Sequence, residues 1–262
     1  MISKSNLKYW NLIREIAVTD FKLKYQGSVL GYIWSLMKPL ALFAVLYVVF
    51  TKVFKLGGAI PHYPVYLLLG VMMFNFWGEA TGAAMFSIAS KGELIRKVYF
   101  PRIILVISAT LTSLITFSLN LLVVILFALF NGVVINWSIL LVIPFVIVFY
   151  LFVLGVSFYL SSLYVKFHDI GHIWEVINQM LFYLTPILYP IASVPEKYAK
   201  LMMLSPLSTL IQGVRASFLG GDVLTIQDYW SFWFMPYIFV LFILITGYLL
   251  FQKMSAKFAE EV

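Results

Sequence analysis

Residues 22–39, KLKYQGSVLGYIWSLMKP, set a basic segment, a joint of small residues (Gly27, Ser28, Gly31) and a tryptophan directly before an apolar run of membrane length. That order wires a helix lying on a membrane surface to one that crosses the membrane. Upstream, residues 6–25 carry Leu7, Trp10, Ile13, Ala17 and Phe21 at spacings of three and four, with Arg14, Glu15, Lys22 and Lys24 mostly elsewhere around the wheel. The pattern predicts an amphipathic helix at the cytoplasmic interface, anchored by Trp10 and the lysines. Such a helix serves either as a simple anchor or as a docking platform for a cytoplasmic partner. The first residues, MISKSNLKYWNLIREIAV, are too polar for the apolar core of a secretory signal and are expected to be retained.

Downstream, apolar stretches long enough to cross a bilayer recur along the chain. Of 262 residues, 63% are hydrophobic and 11% charged, against roughly 25% charged in a soluble domain. A polytopic, all-α integral membrane protein follows. Six spans are predicted, at 36–56, 65–89, 103–130, 138–164, 173–190 and 232–251, which puts both termini on one side. Thirteen of the 18 Lys and Arg residues then lie on the side of the termini: the N-terminal 38 residues, the 90–102 loop, the 165–172 loop and the tail. The other five (Lys52, Lys55, Lys197, Lys200 and Arg215) lie opposite, so the termini are expected to be cytoplasmic. The net charge of +7 is therefore a matter of topology, and nucleic acid is not an expected partner. With no cysteine, disulfides, thiolate nucleophiles and cysteine-based metal sites are excluded.

The connection 191–231 holds two short helical pieces, one from Pro195 (VPEKYAKLMML) and one from Pro206 (SPLSTLIQGVRASFL), the second ending at Gly220-Gly221. Each is too short to cross, and the pair is expected to be re-entrant in the outer leaflet. Pro186 and Pro190 break the fifth span just before them, whereas NGVVIN between spans three and four is a tight turn. The whole chain, 1–262, reads as a single domain: an interface helix within 1–35, a bundle over 36–251 and a tail at 252–262.

The catalytic inventory is thin. No G-x-x-x-x-G-K-[ST] phosphate loop, H-E-x-x-H or G-x-S-x-G occurs, and no paired-carboxylate site is evident. His168, His172 and Glu175 have spacings that would align them on one helical face to hold a metal; the alternative is a polar turn starting a helix, with Asp169 as cap. Glu79 is the only acidic residue deep in a predicted span, so it is either functional or an interhelical hydrogen-bonding group, with Asn75, Asn120 or Gln179 as partners. Aromatic clusters at Phe74, Phe76 and Trp77 in span two and Phe182, Tyr183 and Tyr189 in span five are candidates for lining a glycan route, since sugar rings stack C–H faces on aromatic planes. The alternative for each is ordinary packing.

The loop SKGELIRKVYFPR at 90–102 reads as a short cytoplasmic helix with Glu93, Arg96, Lys97 and Arg102, closed by Phe100-Pro101. It is either ordinary positive-inside charge or a rigid basic-aromatic knob that fits a partner's groove and moves spans two and three.

Five segments together carry a resemblance: KLKYQGSVLGYIWSLMKPL at 22–40, YPVYLLLGVMMFNFW at 63–77, ELIRKVYFPRIIL at 93–105, VKFHDIGHIWEVINQMLFYLTPILYP at 165–190 and SPLSTLIQGVR at 205–215. Over nearly its whole length the chain resembles the permease subunit of type-2 ABC exporters that move polysaccharides, O-antigen or teichoic acids (polyol phosphates). His168, where Arg often precedes Asp-Ile, and Ser205, where Asn commonly precedes Pro, depart from the family pattern. The resemblance implies a bacterial inner-membrane permease that forms a homodimer, binds two separate ABC ATPase subunits and passes a lipid-linked glycan. ATP and Mg would be bound by the partner and no cofactor by this chain. It also implies that Glu93, Arg96, Lys97, Tyr99, Phe100, Pro101 and Arg102 form the ATPase-coupling loop, with helix 6–25 a second contact. A drug or lipid exporter permease of the same superfamily and a membrane-embedded glycosyl- or acyltransferase are the alternative functions.

Overall fold

The computed structural model describes residues 4–28, 30–55, 61–98, 100–134, 136–256 and 258. Among them there are helices and no strand. Helix α1 (Lys4–Tyr25) is followed by a glycine joint, then α2 (Ile33–Val48), which runs on as a π turn to Val53. Gly27 and Gly31 both take positive φ, +77° and +49°, where a Cβ would be strained. That is why small residues stand at the joint. Across it, Phe21 stacks on Tyr32 with ring centroids 5.1 Å apart. The expected apolar face of α1 is buried at Ile13 and Ala17, while Trp10 stays exposed. The buried face packs on α5 (Ile103–Phe130), where the Thr112 hydroxyl donates to the Ala17 carbonyl at 3.1 Å.

Helix α3 (Tyr63–Phe86) is the hub. It is apolar all round from Val65 to Phe74 and almost wholly buried there, as a helix without a polar face must be. Around it pack α2, α5, α6 (Val142–Lys166), α7 (Ile170–Leu184) and α9 (Pro206–Leu219). Helix α4 (Gly92–Lys97) joins α3 to α5, α8 (Glu196–Met203) precedes α9, and α10 (Met235–Ser255) closes the chain against α6. The α6–α10 contact is backbone on backbone. A Cβ on Gly155 would lie 2.9 Å from Leu244 main-chain atoms, and one on Gly247 would lie 2.5 Å from the Gly155 carbonyl oxygen. Small residues at a crossing give such helices their van der Waals contact where lipid supplies no hydrophobic drive.

Among the described residues, four helices are long and apolar enough to cross a membrane: Ile33–Val53, Ile103–Phe130, Trp137–Lys166 and Met235–Ser255. The other two predicted spans look different. Helix α3 has the length, about 36 Å for its 24 residues, but Asn75 and Glu79 lower its apolarity. Helix α7 has 15 residues, about 22 Å; it stops at Leu184, with Thr185 extended ahead of Pro186, so the predicted span 173–190 is helical only in its first part. The two short helices expected after it are present as α8 and α9. Pro206 takes the first turn of α9, whereas Pro195 sits one residue ahead of α8, and Gly220 ends α9 at φ +76°.

Candidate functional site

A cleft of about 470 Å³ opens where α1, α2, α3, α5 and α7 meet. Its polar lining comes from one position in each turn of these helices: Asn75 and Glu79 on α3, Ser113, Thr116 and Asn120 on α5, Asn178 on α7, with Lys24, Ser35 and Lys38 from the N-terminal pair. Trp34, Phe74, Phe76 and Phe117 supply the apolar part. Glu79 is not the isolated membrane carboxylate that its place in the sequence implies. Lys24 Nζ lies 2.6 Å from its Oε1, and both side chains are a little over one-third exposed. None of the expected partners Asn75, Asn120 and Gln179 bonds to it among the described residues. The ammonium came from α1 because the glycine joint folds that helix back beside α3 and α5. Sequence spacing cannot reveal this pairing across 55 residues. A second pair, Lys91 with Asp20 at 2.5 Å, straps the same helix to the segment before α4.

Two amide oxygens at the cleft, Asn120 Oδ1 and Asn178 Oδ1, are buried without a hydrogen-bond partner among the described residues. Such groups are costly unless something polar reaches them. The six aromatics singled out from sequence divide. Phe74 meets Phe182 edge-on at 5.1 Å, Phe182 meets Tyr183 at 5.4 Å, and the Tyr189 hydroxyl donates to the Tyr183 carbonyl at 2.9 Å, so these four form one string. Phe76 instead stacks on Phe117 at 4.7 Å in the wall of the cleft, and Trp77 on Phe152 at 5.0 Å inside the core.

Near the string lies Arg215, counted from sequence among the five basic residues on the side opposite the termini. It is fully buried. Its Nε donates to the Tyr66 carbonyl (2.9 Å), Nη1 to the Pro186 carbonyl (2.5 Å) and Gln212 Oε1 (2.9 Å), and Nη2 to the Ile187 carbonyl (2.7 Å). The guanidinium also lies 3.6 Å over the Tyr66 ring. Tyr63 adds a bond from its hydroxyl to the Leu188 carbonyl at 2.7 Å. The non-helical stretch after α7 thus has its buried Pro186, Ile187 and Leu188 carbonyls satisfied by α3 and α9. The i, i+3 pair Gln212/Arg215 beside TPILYP was the available signal.

The loop between α3 and α5 is compact. Ile95 and Phe100 turn into the small core shared with Phe251 and Phe258, and Arg102 donates to the Ser255 carbonyl. Glu93, Arg96, Lys97 and Pro101 face outward, with Lys97 and Glu93 paired at 3.2 Å. Tyr99 lies outside the described residues. His168, His172 and Glu175 do not converge: no metal-holding group occurs among the described residues, and His168 packs on Tyr164 at 5.2 Å. Asp169 precedes α7 without a side-chain capping bond.

Two O-antigen export system permease proteins RfbA of Klebsiella pneumoniae are similar to this protein, at 29% and 30% identity, each over 98% of this chain and 97% of its own length. One of the same name from Myxococcus xanthus is 27% identical over 80% of this chain and 81% of its own. The profile of the ABC-2 type transporter matches residues 11–219, from α1 to the end of α9. The chain belongs to the ABC-2 type transporter family.

Proposed function

We propose that this protein is the permease subunit of an ATP-driven exporter that moves a lipid-linked polysaccharide, of O-antigen or teichoic-acid type, across the bacterial cytoplasmic membrane. What carries the reading is the near full-length similarity to permeases named for O-antigen export. The cleft suits that cargo, because amides, hydroxyls, lysines and flat aromatic rings together are what hydroxyl-rich chains need. The spans are six, with α3 and α7 completing the four apolar ones. Helix α3 crosses inside a ring of other helices, and α7 is extended by the stretch 185–190. Helices α8 and α9 are re-entrant, and both termini are cytoplasmic. With Arg215 buried, the outer side keeps only four of its five basic residues, so the charge asymmetry is sharper than the raw count.

The active unit is a homodimer carrying two ABC ATPase subunits. Nucleotide and Mg²⁺ belong to those partners, as the chain has no phosphate loop. Loop residues Glu93, Arg96, Lys97, Tyr99, Phe100, Pro101 and Arg102 form the coupling surface, and α1 is its second contact. The route of the glycan follows Phe74, Phe182, Tyr183 and Tyr189, with Phe76 and Trp77 backing α3 and Glu79 at the entrance. The test is deletion of the chain in cells that make the polymer: finished polymer accumulates inside and none reaches the surface. Loss of synthesis itself would overturn the reading in favour of an enzyme.

A further inference from the structure

The Lys24–Glu79 ion pair is a wall between two cavities. One is the cleft of about 470 Å³; the other, of about 320 Å³, is lined by Asp20, Ser87, Ser90, Lys91 and Thr112. Lys24, Glu79 and Ser113 line both. Within the larger cavity Lys38 has no acidic partner among the described residues. Asn120, 6% exposed, and Asn178 line it too, and their buried amide oxygens have no hydrogen-bond partner among the described residues. Two ammonium groups match an anion, and unpartnered buried acceptors match hydroxyl donors. A phosphate group attached to a sugar or other polyol supplies both.

We infer that this cleft is a site for a phosphate-bearing, hydroxyl-rich headgroup, with the Lys24–Glu79 pair as its shutter. The inference rests on the export reading and specifies the part of the cargo that this chain grips. The phosphate oxygens take Lys24 away from Glu79, Lys38 joins them, and the sugar hydroxyls donate to Asn120 and Asn178. The shutter yields because the pair, 2.6 Å apart, joins side chains more than one-third exposed, and such pairs hold only weakly. Once it opens, the two cavities become one slot. Helix α1 then keeps only the Asp20–Lys91 strap of the two ion pairs, so occupancy is felt beside α4.

The experiment uses the full chain in phosphatidylcholine nanodiscs and farnesyl diphospho-N-acetylglucosamine as probe, with the phosphate-free farnesyl glycoside as control. The wild-type chain binds the probe at least tenfold more tightly than the control. Glu79→Gln, which removes the competing carboxylate, tightens probe binding about two- to fivefold; Lys24→Gln weakens it at least fivefold. Opposite signs are what a merely structural strap cannot produce. Thermal unfolding of each variant checks the seating of α1, and where Lys24→Gln lowers the unfolding temperature, Glu79→Gln with an unchanged one decides. Failure of the wild-type chain to bind, or a shift of both variants in one direction, or no shift in either, overturns the inference. Displacement of the probe by added phosphatidylglycerol supports the phosphate site and assigns its occupant to bilayer phospholipid, whereas no displacement assigns it to the exported carrier. Export that depends on the chain, with probe binding indifferent to both variants, overturns the shutter and leaves the export reading standing.

Discussion

Arg215→Met destabilises the protein by on the order of 3–5 kcal/mol, read as a fall in the thermal unfolding midpoint in nanodiscs. The side chain is fully buried and donates to four oxygens. Two of them, the Pro186 and Ile187 carbonyls, lie in non-helical backbone and have no other main-chain donor among the described residues. Methionine fills the space and leaves those acceptors buried and unpaired. Lysine restores little, because a single ammonium cannot reproduce the planar fork that reaches α3, α9 and the break after α7 together. Gly70→Ala makes the same point from the facing helix. Its Cβ would stand 2.0 Å from Arg215 Nη2 and 3.2 Å from the Ile187 carbonyl oxygen, so the guanidinium has to leave its partners. An unfolding midpoint near wild type for both variants would remove Arg215 from the account of the fold.

Arg96→Glu together with Lys97→Glu reduces export at least tenfold and abolishes co-purification with the ATPase, while the unfolding temperature stays close to wild type. Neither side chain enters the core. Both are exposed, and the Lys97–Glu93 pair joins side chains 74% and 90% exposed, an i, i+4 contact of about 0.3–0.5 kcal/mol. What anchors the loop is elsewhere: Ile95 and Phe100 in the shared core, and Arg102 on the Ser255 carbonyl. Charge reversal at an interface acts on association far more than on the fold that presents it. Retention of the ATPase with the doubly reversed loop would show that the coupling surface lies elsewhere.

Much of this architecture is legible in the sequence because lipid imposes long apolar runs. The span 103–130 coincides with α5, and the joint at Gly27 and Gly31 is where positive φ is needed. Proline and glycine punctuation located α8 and α9, because proline suits a helix start and Gly220 takes the positive φ that ends α9. The site was less legible. Glu79 stood out by its cost in lipid, but its partner Lys24 comes from a helix read as lying on the surface, and only folding across the joint brings the two together. Arg215 looked like an outer charge because burial in this fold is decided by Gly70 and by carbonyls of a broken helix, none of which leaves a periodic signal. Trp77 is aromatic like Phe74 yet faces the core, stacked on Phe152, whereas Phe76 with Phe117 shares the cleft with Phe74.

On the proposed function, the protein is a conduit that is moved from outside. Purified alone into vesicles with a lipid-linked glycan and ATP, it neither hydrolyses the nucleotide nor carries the glycan uphill on an ion gradient, and translocation starts only when the ABC ATPase is reconstituted with it. Hydrolysis or gradient-driven flux by the chain alone would contradict the account.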